Sequence, residues 1–197
     1  MYVTPAPARP RRADAELSIA RIVAAARVCL SRDPDATVDD IAKEAGVGRM
    51  TLYGHFRTRA DLVEAALVDA LRAGEGALSA VDLSGDAREA LSRLLASSWS
   101  LVAESAALAQ AANGVLPAGR LRDLHVAPAR RVEDLIRRGQ GQGVFRTDLP
   151  LPWLVSAIHY ILKGAADELR AGRVKARDAS GLVTATVQSI LAAPAQP

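Results

Sequence analysis

The sequence predicts an all-α protein, on the evidence of its composition and the spacing of its apolar residues. Half of the 197 residues are apolar, but only 4% are aromatic. Ala and Leu, which have high intrinsic helix propensity, supply much of the apolar content. Apolar residues recur at i, i+3, i+4 and i+7 between short segments rich in Gly, Pro and Asp. These observations favour a series of amphipathic helices over strands.

Charge and targeting features narrow the class of protein. The chain has 25 basic and 22 acidic residues, a net charge of +3, and a pI near 9.4. This balance permits nucleic-acid binding but does not require it. No apolar run reaches the roughly 18 residues of a membrane span, and no apolar signal segment follows the N-terminal arginines. Cys29 is the single cysteine, which excludes an internal disulfide. We expect a cytoplasmic protein.

The N-terminal segment, residues 1–15, is rich in Pro and Arg and is predicted to be a disordered basic leader. The alternative is an arm that contacts DNA phosphates or a minor groove. The first helix is predicted from about Asp14 to Ser31. Its buried stripe consists of Ile22, Ala25, Ala26, Cys29 and Leu30. We interpret Cys29 as a small core residue rather than a reactive thiol.

Two short helices follow. The segment "TVDD" has the spacing of a capping box, with Thr37 as N-cap, and predicts a helix over 38–45 that ends at Gly46. The next helix lies within "VGRMTLYGHF", residues 47–56. "TRAD" at 58–61 repeats the capping pattern and begins a longer helix to about Ala73. This layout is typical of a helix-turn-helix, whose second helix enters the DNA major groove.

The remainder is predicted to be helical after a loose connection at 73–86. We place helices at about 86–104, 105–115, 118–140, 151–171 and 176–192. "GQGQG" at 139–143 lacks the preceding strand of a dinucleotide site, so we interpret it as a helix stop and turn. His125 and His159 have no Ser or Cys partner suggested by spacing. We find no catalytic constellation, metal site or cofactor motif and expect no enzyme.

The last two predicted helices are apolar over a wide arc. In 153–168, one stripe contains Leu154 and Ile158, and an adjacent stripe contains Trp153, Tyr160 and Gly164. Residues 63–197 are nearly neutral, with 15 basic and 14 acidic residues. A helix with two apolar stripes must bury both of them against neighbouring elements. We expect these helices to form a homodimer interface; burial within one domain is the alternative.

A family resemblance becomes specific at residues 37–67, "TVDDIAKEAGVGRMTLYGHFRTRADLVEAAL". This segment resembles the N-terminal signature of the TetR family of transcriptional regulators. The matching residues are Ile41, Ala42, Ala45, Gly46, Val47, Thr51, Leu52, Tyr53, His55, Phe56 and Leu62. "RIVAAARVCLSRD" resembles the preceding helix of that family. Three positions depart from the pattern: Gly48 replaces a usual Ser, Arg59 a usual Lys, and Ala60 an acidic residue.

The resemblance implies two domains: a helix-turn-helix DNA-binding domain, which we place at 16–62, and a helical ligand-binding and dimerisation domain at 63–197. It also implies a homodimeric transcriptional regulator, expected to be a repressor that a small-molecule effector releases from a palindromic operator in double-stranded DNA. The alternative is a helical ligand-binding or interaction protein without DNA binding.

The expected DNA contacts follow from the chemistry of the segment and from the resemblance. Residues 46–59 carry three arginines and no acid. Arg49 is the candidate for a guanine contact; a phosphate-bound or solvated charge is the alternative. We interpret His55 as a phosphate or packing residue rather than a metal ligand. The full predicted set is Thr37, Gly48, Arg49, Met50, Thr51, Tyr53, Gly54, His55, Thr58 and Arg59.

The effector site is less constrained by the sequence. Large or polar side chains on otherwise apolar helices are the candidates, although core packing or surface exposure explains each of them equally well. This predicted ligand-binding set is Trp99, Asn113, His125, Trp153 and His159.

Overall fold

The computed structural model describes residues 9–194, in which helices are the only regular secondary structure. An isolated bridge between Phe145 and Ala192 is the one extended pairing in that range. The all-α prediction is confirmed. The helices are α1 (Arg9–Arg32), α2 (Val38–Ala45), α3 (Arg49–His55), α4 (Arg59–Ser79), α5 (Ala87–Ala112), α6 (Ala118–Leu124), α7 (Val126–Gly141), α8 (Leu151–Arg170) and α9 (Ala176–Leu191).

The chain divides into two compact units. The first contains the residues up to Asp69 together with Ala107–Leu116, and the second contains Ala70–Ala106 together with the residues from Pro117 onward. Helices α4 and α5 therefore each contribute residues to both units. The predicted domain boundary at 62/63 marks the end of the helix-turn-helix signature in the sequence. The two units, in contrast, are defined by which residues contact each other in the structure.

The first helix is longer than predicted at its N-terminus. It begins at Arg9 rather than near Asp14, so residues 9–15 are helical and the prediction of a disordered leader is wrong there. Residues 1–8, the rest of the predicted leader, lie outside the described residues. Pro10 does not prevent the helix, because it occupies the first turn, where a missing N–H costs nothing.

Two other helices run through predicted breaks. Helix α4 continues to Ser79, past Gly74 and Gly76, where the sequence predicted a loose connection. Helix α5 is a single helix over Ala87–Ala112, so the predicted break at 104/105 is wrong. No proline interrupts α5, and its buried residues, including Leu94, Leu95 and Trp99, keep a helical spacing. Tertiary packing outweighs the weak local propensity of the glycines.

The helix predicted over 118–140 is broken at His125, which separates α6 from α7. Pro128 explains the break, because it has no N–H to donate to the carbonyl of residue 124. The proline lies in the first turn of α7, where no such hydrogen bond is needed.

The glycine-rich segment 139–143 ends α7, which confirms its interpretation as a helix stop. Gly143 has φ of +72°, and the N–H of Val144 donates to the carbonyl of Gly139 at 2.9 Å. The Phe145 ring packs against Gly139 so closely that a Cβ there would lie 2.0 Å from a ring carbon. The segment is therefore a structural element of the second unit rather than a phosphate-binding loop.

Each unit has its own apolar core. In the first, Ile22, Leu30, Ile41, Leu52 and Leu62 are fully buried. In the second, fifteen buried residues from α5, α7, α8, α9 and Phe145 form one hydrophobic cluster. Over the described part of the chain, no helix combines the length and apolarity that a membrane span needs.

Candidate nucleic-acid interface

The turn between α2 and α3 is defined by a left-handed glycine. Gly46 has φ of +64° and ψ of +36°, a conformation that costs glycine little. The N–H of Gly46 donates to the carbonyl of Lys43 at 3.1 Å, and that of Val47 donates to Ala42 at 3.0 Å. These bonds end α2 within one residue and direct the chain into α3, as the sequence predicted.

The inner face of α3 fixes the helix to its unit. Leu52 is 1% exposed, and Phe56, which directly follows the helix, is also buried. The N–H of Phe56 donates to the carbonyl of Leu52 at 2.9 Å. Buried large side chains such as these contribute roughly 1.5–3 kcal/mol each to folding. The inner face of α3 therefore packs into the core of the first unit.

The outer face of α3 is exposed and low in charge. Met50 is 83% exposed and Tyr53 is 37% exposed. Thr51 and Gly54 are also exposed, and a Cβ added to Gly54 would meet no atom within 4 Å. Gly48 is the N-cap and provides no side-chain hydrogen bond. Four of the predicted DNA-binding residues thus lie on one accessible face of α3, and a fifth, Gly48, lies at the N-terminus of that helix.

Arg49 is not an isolated charge. Its Nη1 lies 3.0 Å from Oδ2 of Asp39, a residue in the first turn of α2. Its Cζ lies 5.8 Å from the centroid of the Tyr53 ring, in a cation–π arrangement. Residues 46–59 contain no acid, and Asp39, which lies outside that segment, approaches Arg49 only through the fold.

Thr37 and Thr58 lie at the starts of α2 and α4, as predicted. Thr37 Oγ1 accepts from the N–H of Asp40 at 3.2 Å, and Oδ2 of Asp40 accepts from the N–H of Thr37 at 2.9 Å. Thr58 and Asp61 make the same reciprocal pair, at 3.1 and 2.9 Å. Both capping boxes are confirmed. Hydrogen bonds from Thr37 lower the pKa of Asp40 below its ordinary value.

These boxes affect the predicted phosphate contacts. In each box a carboxylate occupies one helix N-terminus and uses the N–H of the threonine. The Thr37 hydroxyl also donates to Asp40, at 2.5 Å. A phosphate that approached either end would therefore meet a carboxylate that already accepts the threonine N–H.

Arg59 has a structural role in the first unit. It is half-buried; its Nη2 donates to the carbonyl of Pro34 at 2.8 Å, and its Nη1 donates to the carbonyl of Ala36. These bonds connect the start of α4 to the loop before α2. The sequence predicts a phosphate contact for Arg59, whereas the geometry directs two of its nitrogens to carbonyls of the protein.

Arg21, which is not among the predicted site residues, contacts the turn after α2. Its Nη2 donates to the carbonyl of Ala45 at 2.7 Å and lies 3.4 Å from the carbonyl of Gly46. It therefore satisfies the C-terminal carbonyls of α2, next to the turn. No local pattern indicates this, since the two positions are 24 residues apart.

His55 is half-buried in the last turn of α3. The described residues contain no group of three or more His, Cys, Asp or Glu side chains that would hold a metal ion. His55 thus keeps its interpretation as a phosphate or packing residue, which stays a prediction.

The five predicted effector contacts do not form one cluster. Trp99 is buried in the hydrophobic cluster of the second unit. Asn113 is exposed and belongs to the first unit, and Trp153 is 62% exposed. The structure does bring His125 and His159 together, with ring centroids 6.1 Å apart.

The histidine pair has a defined local geometry. Nδ1 of His125 lies 2.8 Å from the carbonyl of Leu121, which fixes the ring. Partial desolvation, with smaller contributions from His125 and Lys163, lowers the pKa of His159 below its ordinary value. The imidazole of His159 therefore remains neutral at pH values where an ordinary histidine begins to protonate.

Comparison with known proteins identifies the class of the first unit. Residues 22–66 match a family model described as bacterial regulatory proteins, tetR family. The match covers the N-terminal helix-turn-helix part of the chain, which is therefore similar to the DNA-binding domain of that family. Among curated proteins, none matches the chain.

Solved structures share the fold over nearly the whole chain. The TetR-like regulator LfrR from Mycobacterium smegmatis, in complex with proflavine, is 20% identical with a TM-score of 0.73, covering 89% of this chain and 97% of LfrR. A TetR-family regulator from Agrobacterium tumefaciens is 18% identical with a TM-score of 0.74, covering 90% and 99%. RolR in complex with resorcinol is 20% identical with a TM-score of 0.60, covering 94% and 92%. At these identities the similarity establishes the fold.

Proposed function

We propose that this protein is a sequence-specific DNA-binding transcriptional regulator that reads the major groove with α3. The observation that supports this most directly is the asymmetry of α3. Leu52 is buried on one face, whereas Met50, Tyr53 and Gly54 lie open on the other. A surface meant only for water would carry more charge, whereas this one presents Met50, which is 83% exposed, beside Tyr53.

Each residue on this face suits a groove contact. Arg49 presents a planar guanidinium that matches the O6 and N7 acceptors of guanine, while Met50 and Thr51 offer apolar groups to a thymine methyl. Tyr53 offers a hydroxyl to a phosphate and a ring to the sugar. Gly54 leaves the helix free to approach the groove closely.

A homodimer is the second part of the proposal, because a single helix of seven residues makes too few contacts for a specific site. Two related by a two-fold axis read a palindrome. The exposed side chains of the second unit support an interface through α8 and α9. Trp153 is 62%, Tyr160 71% and Leu182 54% exposed, which is unusual for large apolar groups on helices.

We further propose that the regulator is a cytoplasmic repressor released by a small-molecule effector bound in the second unit. The proflavine and resorcinol complexes of LfrR and RolR support an effector of this kind on this fold. Of the predicted contacts, the His125–His159 pair is the best candidate, because the two rings lie together and the lowered pKa of His159 lets its ring offer hydrogen bonds without a fixed charge. Release requires an effector that binds the DNA-free conformation more tightly.

Selection of bound sequences from random double-stranded DNA tests the proposal. We expect enrichment of a palindromic motif with two half-sites. A screen for compounds that release the selected DNA then tests the effector, with His159→Ala as the binding-site variant. A protein that enriches no sequence under low-salt conditions would instead be a helical ligand-binding or interaction protein without DNA binding.

A further inference from the structure

We infer that Asp39 is a specificity-determining residue, which orients Arg49 for one base and reduces its attraction to phosphates in general. The inference rests on the proposed function, because it concerns how α3 distinguishes one DNA sequence from another. It depends on the geometry of three side chains, Asp39 on α2 and Arg49 and Tyr53 on α3.

Asp39 is chemically unexpected at this position. DNA binding is driven by cations that displace counterions from phosphates, so an exposed carboxylate beside the recognition helix opposes it. The N-terminus of α2 does not depend on it, since Thr37 and Asp40 already form the capping box. A favourable interaction with the helix dipole is the remaining structural explanation, and it is small for an exposed group.

The contact with Arg49 gives Asp39 a function. The carboxylate binds Nη1 at 3.0 Å, while the Tyr53 ring lies below the guanidinium, 5.8 Å from Cζ to the centroid. The two contacts place the guanidinium between the Asp39 carboxylate and the Tyr53 ring, and so restrict its position. Nη2 and Nε remain available for a bidentate contact with guanine.

The pair also changes what Arg49 prefers. A free arginine binds any phosphate, because charge alone suffices. A carboxylate beside Arg49 opposes the approach of a phosphate, so the directed acceptors of a guanine edge account for more of what this arginine prefers. In addition, a restrained side chain loses less conformational freedom on binding. Both effects favour discrimination over total affinity.

The test compares discrimination and affinity in the full-length protein. The operator comes from the selection described above, and the position read by Arg49 is the base pair at which Arg49→Ala loses preference. We expect Asp39→Ala to reduce the preference at that base pair by about three- to tenfold, while binding to random DNA stays equal or becomes tighter. Glu44→Ala is the matched control, because it removes the same charge from an exposed position on α2.

The outcomes separate this inference from the proposed function. If the wild type selects no operator, the proposed function fails. If the wild type discriminates and Asp39→Ala raises affinity for all sequences equally, as Glu44→Ala would, Asp39 only repels phosphates and the inference is wrong. In an Arg49→Ala background, Asp39→Ala should no longer change the preference at that position; a persisting change would mean that Asp39 reads a base itself and would overturn the inference. Thermal denaturation verifies that each variant is folded.

Discussion

Nη2 of Arg21 in α1 donates to the carbonyl of Ala45, the last residue of α2, across 2.7 Å. This bond lies at the turn that sets the direction of α3. Gly46, the next residue, has φ of +64°, and a Cβ on it would lie 3.1 Å from the same Nη2. The turn therefore depends on a glycine for two reasons, its left-handed backbone and its close contact with Arg21.

Gly46→Ala should destabilise the protein, because a left-handed conformation costs an L-residue about 1–2 kcal/mol. Gly76→Ala is the control, since Gly76 lies within α4 and a Cβ there would meet no atom within 4 Å. Urea denaturation of both variants measures the difference in the free energy of unfolding. Equal stabilities would contradict this account of the turn.

Gly54 offers a test that separates folding from DNA binding. We expect Gly54→Leu to fold at least as stably as the wild type, because leucine is a better helix former and the site is open. The same side chain should hinder the approach of α3 to the groove and weaken operator binding by more than about tenfold. Gly76→Leu, at another open helical position, should leave binding unchanged. Undiminished affinity of Gly54→Leu would exclude close approach at this residue.

The capping box of α2 should contribute to stability in a pH-dependent manner. Thr37→Ala is expected to cost about 1 kcal/mol at neutral pH, as is usual for a lost N-cap. The pKa of Asp40 is lowered by its bonds to Thr37, so the folded state favours the ionised carboxylate. The stabilisation is therefore present above the ordinary pKa of about 4 and is lost as the pH falls through the lowered value. Denaturation of the wild type and Thr37→Ala at pH 7 and pH 3 should show a smaller difference at the acidic pH.

The exposed face of α8 and α9 should maintain the dimer. Tyr160→Arg introduces a charge at a side chain that is 71% exposed in the single chain, so the fold should tolerate it. In a dimer the same charge would be buried, which is costly without a partner. Light scattering should give a monomer for this variant and a dimer for Leu17→Arg, at a similarly exposed position on α1. A dimeric Tyr160→Arg would place the interface elsewhere.

Features of the fold with a local cause were predictable from the sequence. The capping boxes at Thr37 and Thr58 and the left-handed Gly46 each act within a few residues, so α2, α3 and the start of α4 could be placed closely. Helix continuity was harder, because it depends on packing. Gly74 lies within α4, is buried and packs in the second unit, with Leu101 3.9 Å from the position of an added Cβ.

The candidate site shows the same contrast between features with a local cause and features that depend on tertiary packing. The exposed face of α3 follows from helical periodicity around Leu52, so its members could be identified in advance. Asp39, Arg21 and the carbonyl partners of Arg59 could not be, because each contact joins residues 10 or more positions apart through tertiary structure. The charge of a segment therefore says little about its electrostatic environment until the neighbouring helices are in place.

The affinity of Arg49→Ala for the selected operator tests the central claim most directly. Fluorescence anisotropy should show that the wild type prefers the operator over a scrambled sequence, and that Arg49→Ala loses most of this preference while remaining a folded dimer. Arg72→Ala, which removes an exposed charge from α4, should retain the preference. An Arg49→Ala variant that distinguishes the operator from scrambled DNA as well as the wild type does would contradict the claim that α3 reads the sequence through this residue.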